Sequence, residues 1–312
     1  MAMCSSSTAG TRPSAIGPCS HSRSSGTARG QFPCSTACDV GVDTIGGMAD
    51  AAVSMVARVA CILRAFDEDH DTLTVSELAT RAGLPVATTH RIAAEMVSER
   101  LLERDGLRYS IGTGLWERGE LAAVSLRFRE MALPFLLGLY EASGENVHLA
   151  ILDEGEALYV MRLVGRRSVP TISRMGGRLP LHTTGVGKAL LAFQDDAFLD
   201  DFFSKPLRRA TVHSRVDEAT LRGELEAVRV NGYSVAHQEM TLGNASIAVP
   251  IFVSDGPPYA AVGLVSHLNR ASVARAVPLL KDAASQISEA LGVSLESDGR
   301  RWRDLFHTAV RR

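Results

Sequence analysis

Long hydrophobic runs, abundant aromatic side chains and a strong charge of one sign are all missing from this 312-residue sequence. No stretch of about 18 apolar residues occurs, and the N-terminus lacks the short apolar core of a secretory signal. We therefore expect a soluble cytoplasmic protein without a membrane partner. Because the formal net charge is only −2, the molecule as a whole does not attract nucleic acid, and a DNA-binding function must rest on a local pattern.

Cysteine is nearly absent beyond the first 40 residues, where Cys61 is the only one of the five. This distribution excludes a disulfide framework and a cysteine-based catalyst in the folded part. Cys34 and Cys38 lie close together, but no second Cys or His pair follows at zinc-finger spacing. We expect no metal and no other cofactor.

The first 47 residues are rich in Ser, Gly, Thr and Arg and contain no acidic residue before Asp39. They have neither helical nor strand periodicity, which predicts a disordered extension. Met48 directly precedes the first ordered pattern, so a wrongly assigned start codon is an alternative explanation. The composition also resembles a transit peptide, an interpretation that we rank lower.

Residues 53–83 have the pattern of two amphipathic helices. Apolar residues at helical spacing indicate a first helix that ends near Phe66. Thr74 and Glu77 form a capping box for a second, short helix, and Gly83 provides a left-handed stop.

A third helix follows after only a few residues, as a helix-turn-helix requires. Pro85 suits its first turn, and the pattern continues to about Arg100. Its inward face carries Thr89, Ile92, Ala93 and Met96. The opposite face is left for DNA.

Two short apolar segments, Leu101–Arg104 and Leu107–Ile111, flank the dipeptide Asp105-Gly106. That dipeptide favours the type I′ turn of a two-residue hairpin. Three helices followed by a hairpin are the order of a winged helix-turn-helix. The amphipathic stretch 115–128 predicts a linker helix that could pack against a partner copy.

Beyond Met131 the pattern is mixed, with more hairpins than strand-helix-strand crossovers. It predicts an antiparallel sheet and the α+β fold class. The predicted strands are 146–152, 157–163, 246–252 and 260–267, and the predicted helices are 131–143, 187–193, 221–231 and 272–291.

We divide the chain accordingly into a disordered extension or mis-assigned start (1–47), a winged helix-turn-helix (48–112), a linker helix (113–128), an effector-binding domain (129–293) and a C-terminal tail (294–312).

Four separated blocks in the same order resemble the IclR family of transcriptional regulators, over residues 53 to 293. They are Leu84-Pro85 with Thr88 to Arg91, Tyr109 to Gly112, the run Gly177 to Ala189, and the later residues Gly232-Tyr233, Glu239, Gly243 and Ile247 to Pro250. The resemblance implies a winged helix followed by a domain similar to GAF and PAS modules, whose curved sheet closes over a small molecule. It also implies a homodimer or a dimer of dimers on operators near catabolic genes, where repression is the commoner mode.

Contacts with operator DNA are expected from the outward face of the third helix and from the wing. Residues 81–108 hold five arginines against four acids, so binding depends on placement more than on total charge. The candidate DNA contacts are Ala87, Thr88, His90, Arg91, Arg104 and Arg108. For each of them, an ordinary exposed residue is the alternative interpretation.

The run Gly185-Val186-Gly187-Lys188 is no phosphate-binding P-loop, because His182 and Ala189 stand where that motif needs Gly and Ser or Thr. The resemblance implies instead a glycine turn that opens a helix beside the effector. It also implies that the effector site comprises Gly185, Val186, Ala236, Ser246, Gly263 and Val265.

Only Ser246 keeps a polar side chain among the strand positions that surround small carboxylates in relatives. The sequence therefore predicts a larger, more apolar effector such as an aromatic acid. Loss of the ligand site is the alternative.

No nucleophile elbow, HExxH motif or repeated carboxylate pair occurs, and we expect no enzyme. The five histidines of the C-terminal region lack metal spacing and are interpreted as structural or surface residues: His148, His182, His213, His237 and His267. An enzyme with a GAF-like domain and an appended helix-turn-helix is the alternative function. An architectural DNA-binding protein leaves residues 131–293 without a role.

Overall fold

A computed structural model describes residues 54–67, 69–122, 127–253 and 256–297. The predicted extension 1–47, with Cys34 and Cys38, lies outside the described residues, as does the tail beyond Ser297.

The N-terminal part contains three helices, α1 (Met55–Arg64), α2 (Val75–Ala82) and α3 (Val86–Ser98). The capping box at the start of α2 is confirmed, since the side chains of Thr74 and Glu77 each accept a hydrogen bond from the other's backbone amide. The left-handed Gly83 ends α2 as predicted. The predicted inward face of α3 is also confirmed, because its four residues are buried: Thr89, Ile92, Ala93 and Met96.

The wing is a three-stranded antiparallel sheet in the order β1-β3-β2, formed by β1 (Thr72–Thr74), β2 (Leu102–Asp105) and β3 (Arg108–Ile111). The predicted turn at Asp105-Gly106 is wrong by one residue. Asp105 pairs with Arg108, so the loop is Gly106-Leu107. Gly106 has φ +58, and glycine at the first loop position is the arrangement of a type II′ turn.

The predicted continuous linker helix is also wrong. Helix α4 (Thr113–Gly119) ends at a glycine, a residue that costs about 1 kcal/mol in a helix, and residues 120–122 form a turn and a bend. The next described helix is α5 (Arg127–Ser143). Phe128 therefore belongs to α5, where it is buried in the core of the larger domain.

The larger domain is built on one antiparallel sheet of six strands, which confirms the predicted α+β class. Its order is β6-β5-β4-β9-β8-β7. The strands are β4 (Asn146–Asp153), β5 (Glu156–Leu163), β6 (Arg178–Pro180), β7 (Ser234–His237), β8 (Asn244–Ile251) and β9 (Ala260–His267).

Alternate residues along the strands face two different cores. One core lies against α5 and α9 (Val273–Ser297) and receives Val147, Leu149, Ile247 and Val249. The other lies against α6 (Gly185–Leu191) and α8 (Glu218–Asn231) and receives Ala150, Ala248 and Ala261. These three alanines are small, although larger side chains such as Tyr159 also face this side.

Helix α7 (Asp196–Ser204) and the strands β1, β6 and β7 were not predicted from the sequence. Among the described residues, no helix is both long enough and apolar enough to cross a membrane.

Candidate functional site

The outward face of α3 presents most of the candidate DNA contacts to solvent. Ala87, His90 and Arg91 are exposed, and Thr88 is half-buried. Arg91 donates to Glu95 one turn later at 2.8 Å, in an ion pair with both side chains more than half exposed. An exposed pair of this kind is weak, so DNA phosphate can compete for the guanidinium.

Both candidate arginines of the wing have partners in the free protein. Arg104 donates to the Gly106 carbonyl at 2.9 Å, and its guanidinium carbon lies 5.5 Å from the centre of the Tyr109 ring. Arg108 donates to the Thr72 carbonyl at 3.2 Å, which adds a side-chain contact between β3 and β1 of the wing. These contacts hold the two side chains beside the wing turn.

The antiparallel register brings distant residues together on the α6 side of the sheet. In one row across the strands, Ala236 pairs with Ser246 and Ser246 with Val265. In a second row, the pairing runs through Ala248, Gly263, His148 and Arg162. Of these seven residues, the sequence interpretation assigned four to the effector site but not Ala248, His148 or Arg162.

Helix α6 approaches this surface closely at its first turn. The Gly185 amide donates to Ser246 Oγ at 2.8 Å, and a Cβ at Gly185 would lie 2.8 Å from that oxygen. A Cβ at Gly263 would lie 3.0 Å from a Val186 methyl group. Glycine at these two positions allows the close approach, since a larger side chain would force the neighbouring atoms to shift.

A pocket with about 510 Å³ of empty space, part of it open to solvent, lies between α6, the sheet and two loops. All six residues predicted for the effector site line it. The other lining residues include His148, Tyr159, Thr171, Ser173, Leu179, Thr183, Thr184, Glu239, Met240 and Asn244. The lining is therefore more polar than the four strand positions alone indicate.

A polar chain beside the pocket connects His148 on β4 and Arg162 on β5 with the loop that follows β5. His148 Nε2 lies 3.0 Å from Ser173 Oγ, which contacts Thr171 Oγ1 at the same distance. Arg162 donates to Thr171 Oγ1 at 3.3 Å, while its Nε is buried without a hydrogen-bond partner. Within the described residues, no carboxylate lies within 4 Å of this guanidinium.

Burial keeps two ring side chains of the pocket uncharged. Burial, with a contribution from the nearby Arg162, lowers the pKa of His148 to about 3. Burial also raises the pKa of Tyr159 well above its usual range, although its hydroxyl is bonded to Thr184. At neutral pH both groups act as neutral hydrogen-bonding partners.

A buried ion pair lies beside the glycine turn. Lys188 is 1% exposed and its Nζ donates to Glu239 at 2.7 Å and to Glu224 at 2.6 Å. Glu239, itself 5% exposed, lines the pocket, whereas Glu224 does not. The second carboxylate oxygen of Glu239, Oε2, is buried and has no hydrogen-bond partner among the described residues.

Several pocket residues escaped the sequence interpretation for different reasons. Thr183 and Thr184 directly precede the glycine turn and could have been found from that proximity. His148 required the pairing of β4 with β9, and Thr171 and Ser173 lie in a loop without periodicity. The described residues contain no cluster of three or more His, Cys, Asp or Glu suited to a metal ion.

A winged helix-turn-helix joined to an antiparallel sheet with a pocket is typical of DNA-binding transcriptional regulators. Two family models match in this order: the IclR helix-turn-helix domain at residues 55–106, and the C-terminal domain of the bacterial transcriptional regulator IclR at residues 121–289. The chain belongs to the IclR family and is a transcriptional regulator.

Curated regulators of this family align with most of the chain. The regulator KdgR of Dickeya chrysanthemi is 30% identical over 247 residues, which cover 77% of this chain and 81% of KdgR. The repressor AllR of Escherichia coli K12 is 29% identical over 252 residues, which cover 79% of this chain and 93% of AllR.

Solved structures agree with the fold. An IclR homologue from Microbacterium hydrocarbonoxydans, crystallised with 4-hydroxybenzoate, has a TM-score of 0.73 and 34% identity, and the match covers 77% of this chain and 100% of that one. The IclR protein of Thermotoga maritima has a TM-score of 0.64 and 26% identity, covering 76% of this chain and 98% of that one.

Proposed function

We propose that this regulator represses a catabolic operon in the cytoplasm and releases its operator when a small aromatic acid fills the pocket beside Gly185. The observation that carries the proposal is the pocket itself, which all six predicted effector residues line. The bound 4-hydroxybenzoate of the Microbacterium relative supports an aromatic acid as the ligand class. The name of AllR supports repression.

The effector's carboxylate is assigned to the end of the pocket formed by Gly185, Val186 and Ser246. Ser246 Oγ already accepts from the Gly185 amide, so its own hydroxyl hydrogen is left for the acid. The lining contains neither Lys nor Arg, and Arg162 supplies positive charge from behind Thr171. The apolar side chains of Leu179, Val186 and Val265 suit the aromatic ring.

On DNA, we infer that α3 lies in the major groove and the wing follows the backbone. Ala87, Thr88 and His90 approach base edges or adjacent phosphates with Arg91, and Arg104 and Arg108 contact phosphates or the minor groove. A homodimer, or a pair of dimers, then binds an inverted repeat with one recognition helix in each half-site.

The contact between Ser173 and His148 favours one alternative, a hydrolase that uses a serine nucleophile. Such an enzyme needs a basic imidazole oriented by a carboxylate. Here burial and Arg162 lower the pKa of His148, which makes it a poor general base at neutral pH. A regulator without enzymatic activity therefore fits this geometry better.

The test measures release of the full-length protein from its upstream DNA by fluorescence anisotropy. Glyoxylate, pyruvate, benzoate and hydroxybenzoates are titrated separately. We expect release by the aromatic acids, since the two- and three-carbon acids leave most of the pocket unfilled. Release by glyoxylate or pyruvate alone contradicts the proposed effector class, and release by no acid favours a domain that has lost its ligand site.

A further inference from the structure

The carboxylate of Glu239 has unequal surroundings on its two oxygens. Oε1 receives a hydrogen bond from Lys188 Nζ at 2.7 Å, whereas Oε2 is buried and receives none from the part of the chain that the structure describes. A buried acceptor without a donor destabilises the folded protein, and more so when it belongs to a charged group. A bound molecule that supplies the donor would remove this cost.

The backbone around Glu239 is held firmly in place. Ser214 Oγ donates to the Glu239 carbonyl at 2.7 Å, and Thr211 Oγ1 donates to the preceding carbonyl, that of Gln238, at 2.6 Å. With Oε1 fixed on the buried Lys188, the carboxylate has little freedom to turn toward another donor in the protein. Oε2, the acceptor without a donor, thus belongs to a residue that lines the pocket.

We propose that Glu239 recognises a hydrogen-bond donor on the effector, so that the pocket selects aromatic acids bearing a hydroxyl or amino group on the ring. This inference rests on the proposed function and adds the substituent that the ligand must carry. The hydroxyl or amino hydrogen is donated to Oε2 of Glu239.

The negative charge of Glu239 determines which end of the aromatic acid lies beside it. Two carboxylates side by side in a buried site repel each other, so the effector's own carboxylate has to lie away from Glu239. It lies instead toward Ser246 and the first turn of α6, and the ring substituent points to Glu239. An acceptor-only substituent in that place would face the lone pairs of Oε2 and leave the oxygen unpaired.

The experiment compares two sets of ligands by calorimetric titration of the full-length protein. The donor-bearing set is 3-hydroxybenzoate, 4-hydroxybenzoate and 4-aminobenzoate. The set without a donor is benzoate, 4-fluorobenzoate and 4-methoxybenzoate. Since a hydrogen bond to a charged group contributes about tenfold or more in affinity, we expect the best donor-bearing acid to bind at least about tenfold more tightly than benzoate.

A matched pair of variants isolates Glu239 from the ion pair that it shares. In Glu239→Gln the amide oxygen can keep the Lys188 bond, and an NH₂ group then replaces Oε2, which turns an acceptor into a donor. We expect the preference for donor-bearing acids to fall at least about tenfold, with the methoxy acid gaining relative to the hydroxy acid. Glu224→Gln changes the other carboxylate on Lys188, outside the pocket lining, and should leave the preference unchanged.

The outcomes separate this inference from the proposed function. Equal affinity of wild type for benzoate and the hydroxybenzoates overturns the role of Glu239 but leaves an aromatic effector standing. Equal loss of preference in both variants means that the effect passes through Lys188, which also overturns it. If wild type binds no aromatic acid, both proposals fall. Thermal melting of each variant confirms that it is folded before titration.

Discussion

The amide nitrogen of Gly185 donates to the hydroxyl oxygen of Ser246 at 2.8 Å, although the two residues are 61 positions apart in the chain. On the other side of the same residue, Ser234 donates to the Gly185 carbonyl at 2.7 Å. Two serines from neighbouring strands therefore fix the start of α6 against the sheet. Only Ser246 also lines the pocket.

This pair of serines provides the first prediction. Ser246→Ala leaves the buried Gly185 amide without an acceptor and should lower the free energy of unfolding by about 1 to 3 kcal/mol. It should also weaken the binding of the aromatic acid about tenfold. Ser234→Ala should destabilise the protein similarly while leaving ligand affinity unchanged. Urea denaturation and calorimetry measure both quantities, and equal affinity losses in the two variants would contradict a ligand contact by Ser246.

The second prediction concerns the positive charge near the pocket. Arg162→Gln should weaken binding of a benzoate about tenfold, because the buried carboxylate loses the charge that offsets its desolvation. Binding of the uncharged benzamide should change far less. Arg166→Gln, at an exposed position in the following loop, serves as the control. A similar loss for benzoate and benzamide would indicate a general change of pocket shape and not a charge effect.

The third prediction tests the recognition helix. Arg91→Ala should weaken operator binding by about 1 to 3 kcal/mol if the guanidinium leaves Glu95 for a base or phosphate. Glu95→Ala should not weaken binding, since it frees Arg91 and removes a negative charge facing DNA. Anisotropy titrations at fixed salt measure both effects. Unchanged binding by Arg91→Ala would place the pair off the interface, and weaker binding by Glu95→Ala would contradict competition between Glu95 and DNA for Arg91.

The fourth prediction concerns pH. The pKa of His148 is about 3 in the folded protein and about 6.5 in an unfolded chain, so below pH 6.5 the unfolded state binds a proton that the folded state excludes. The free energy of unfolding should therefore fall as the pH decreases from 6.5 toward 3, by up to about 1.4 kcal/mol per pH unit.

His148→Gln should remove this contribution and flatten the pH dependence. Urea denaturation at pH 7, 6 and 5 compares it with wild type and with the exposed-site variant His213→Gln. Burial lowers the pKa of His182 as well, but that residue is present in all three proteins and cancels in the comparison. Parallel curves for wild type and His148→Gln would contradict the lowered pKa.

Local features of the sequence predicted the N-terminal part well. The capping box of Thr74 and Glu77, the stop at Gly83 and the buried stripe of α3 depend on residues three or four positions apart. Interactions over so short a distance are strong enough to place helix ends and faces. The predicted turn of the wing hairpin was wrong by one residue. Asp105-Gly106 and Gly106-Leu107 are both acceptable turns, and the pairing of β2 with β3 decides between them.

The sequence itself thus determined the helix-turn-helix and the alternation of residues along the strands. The tertiary structure decided which side chains surround the pocket, since that depends on strand order and register across the sheet. It placed His148 beside Gly263, and it brought Lys188 to Glu239 across 51 residues. Propensity and periodicity act over a few residues, whereas a binding site is formed by contacts between segments whose relative positions are fixed only when the whole sheet has packed.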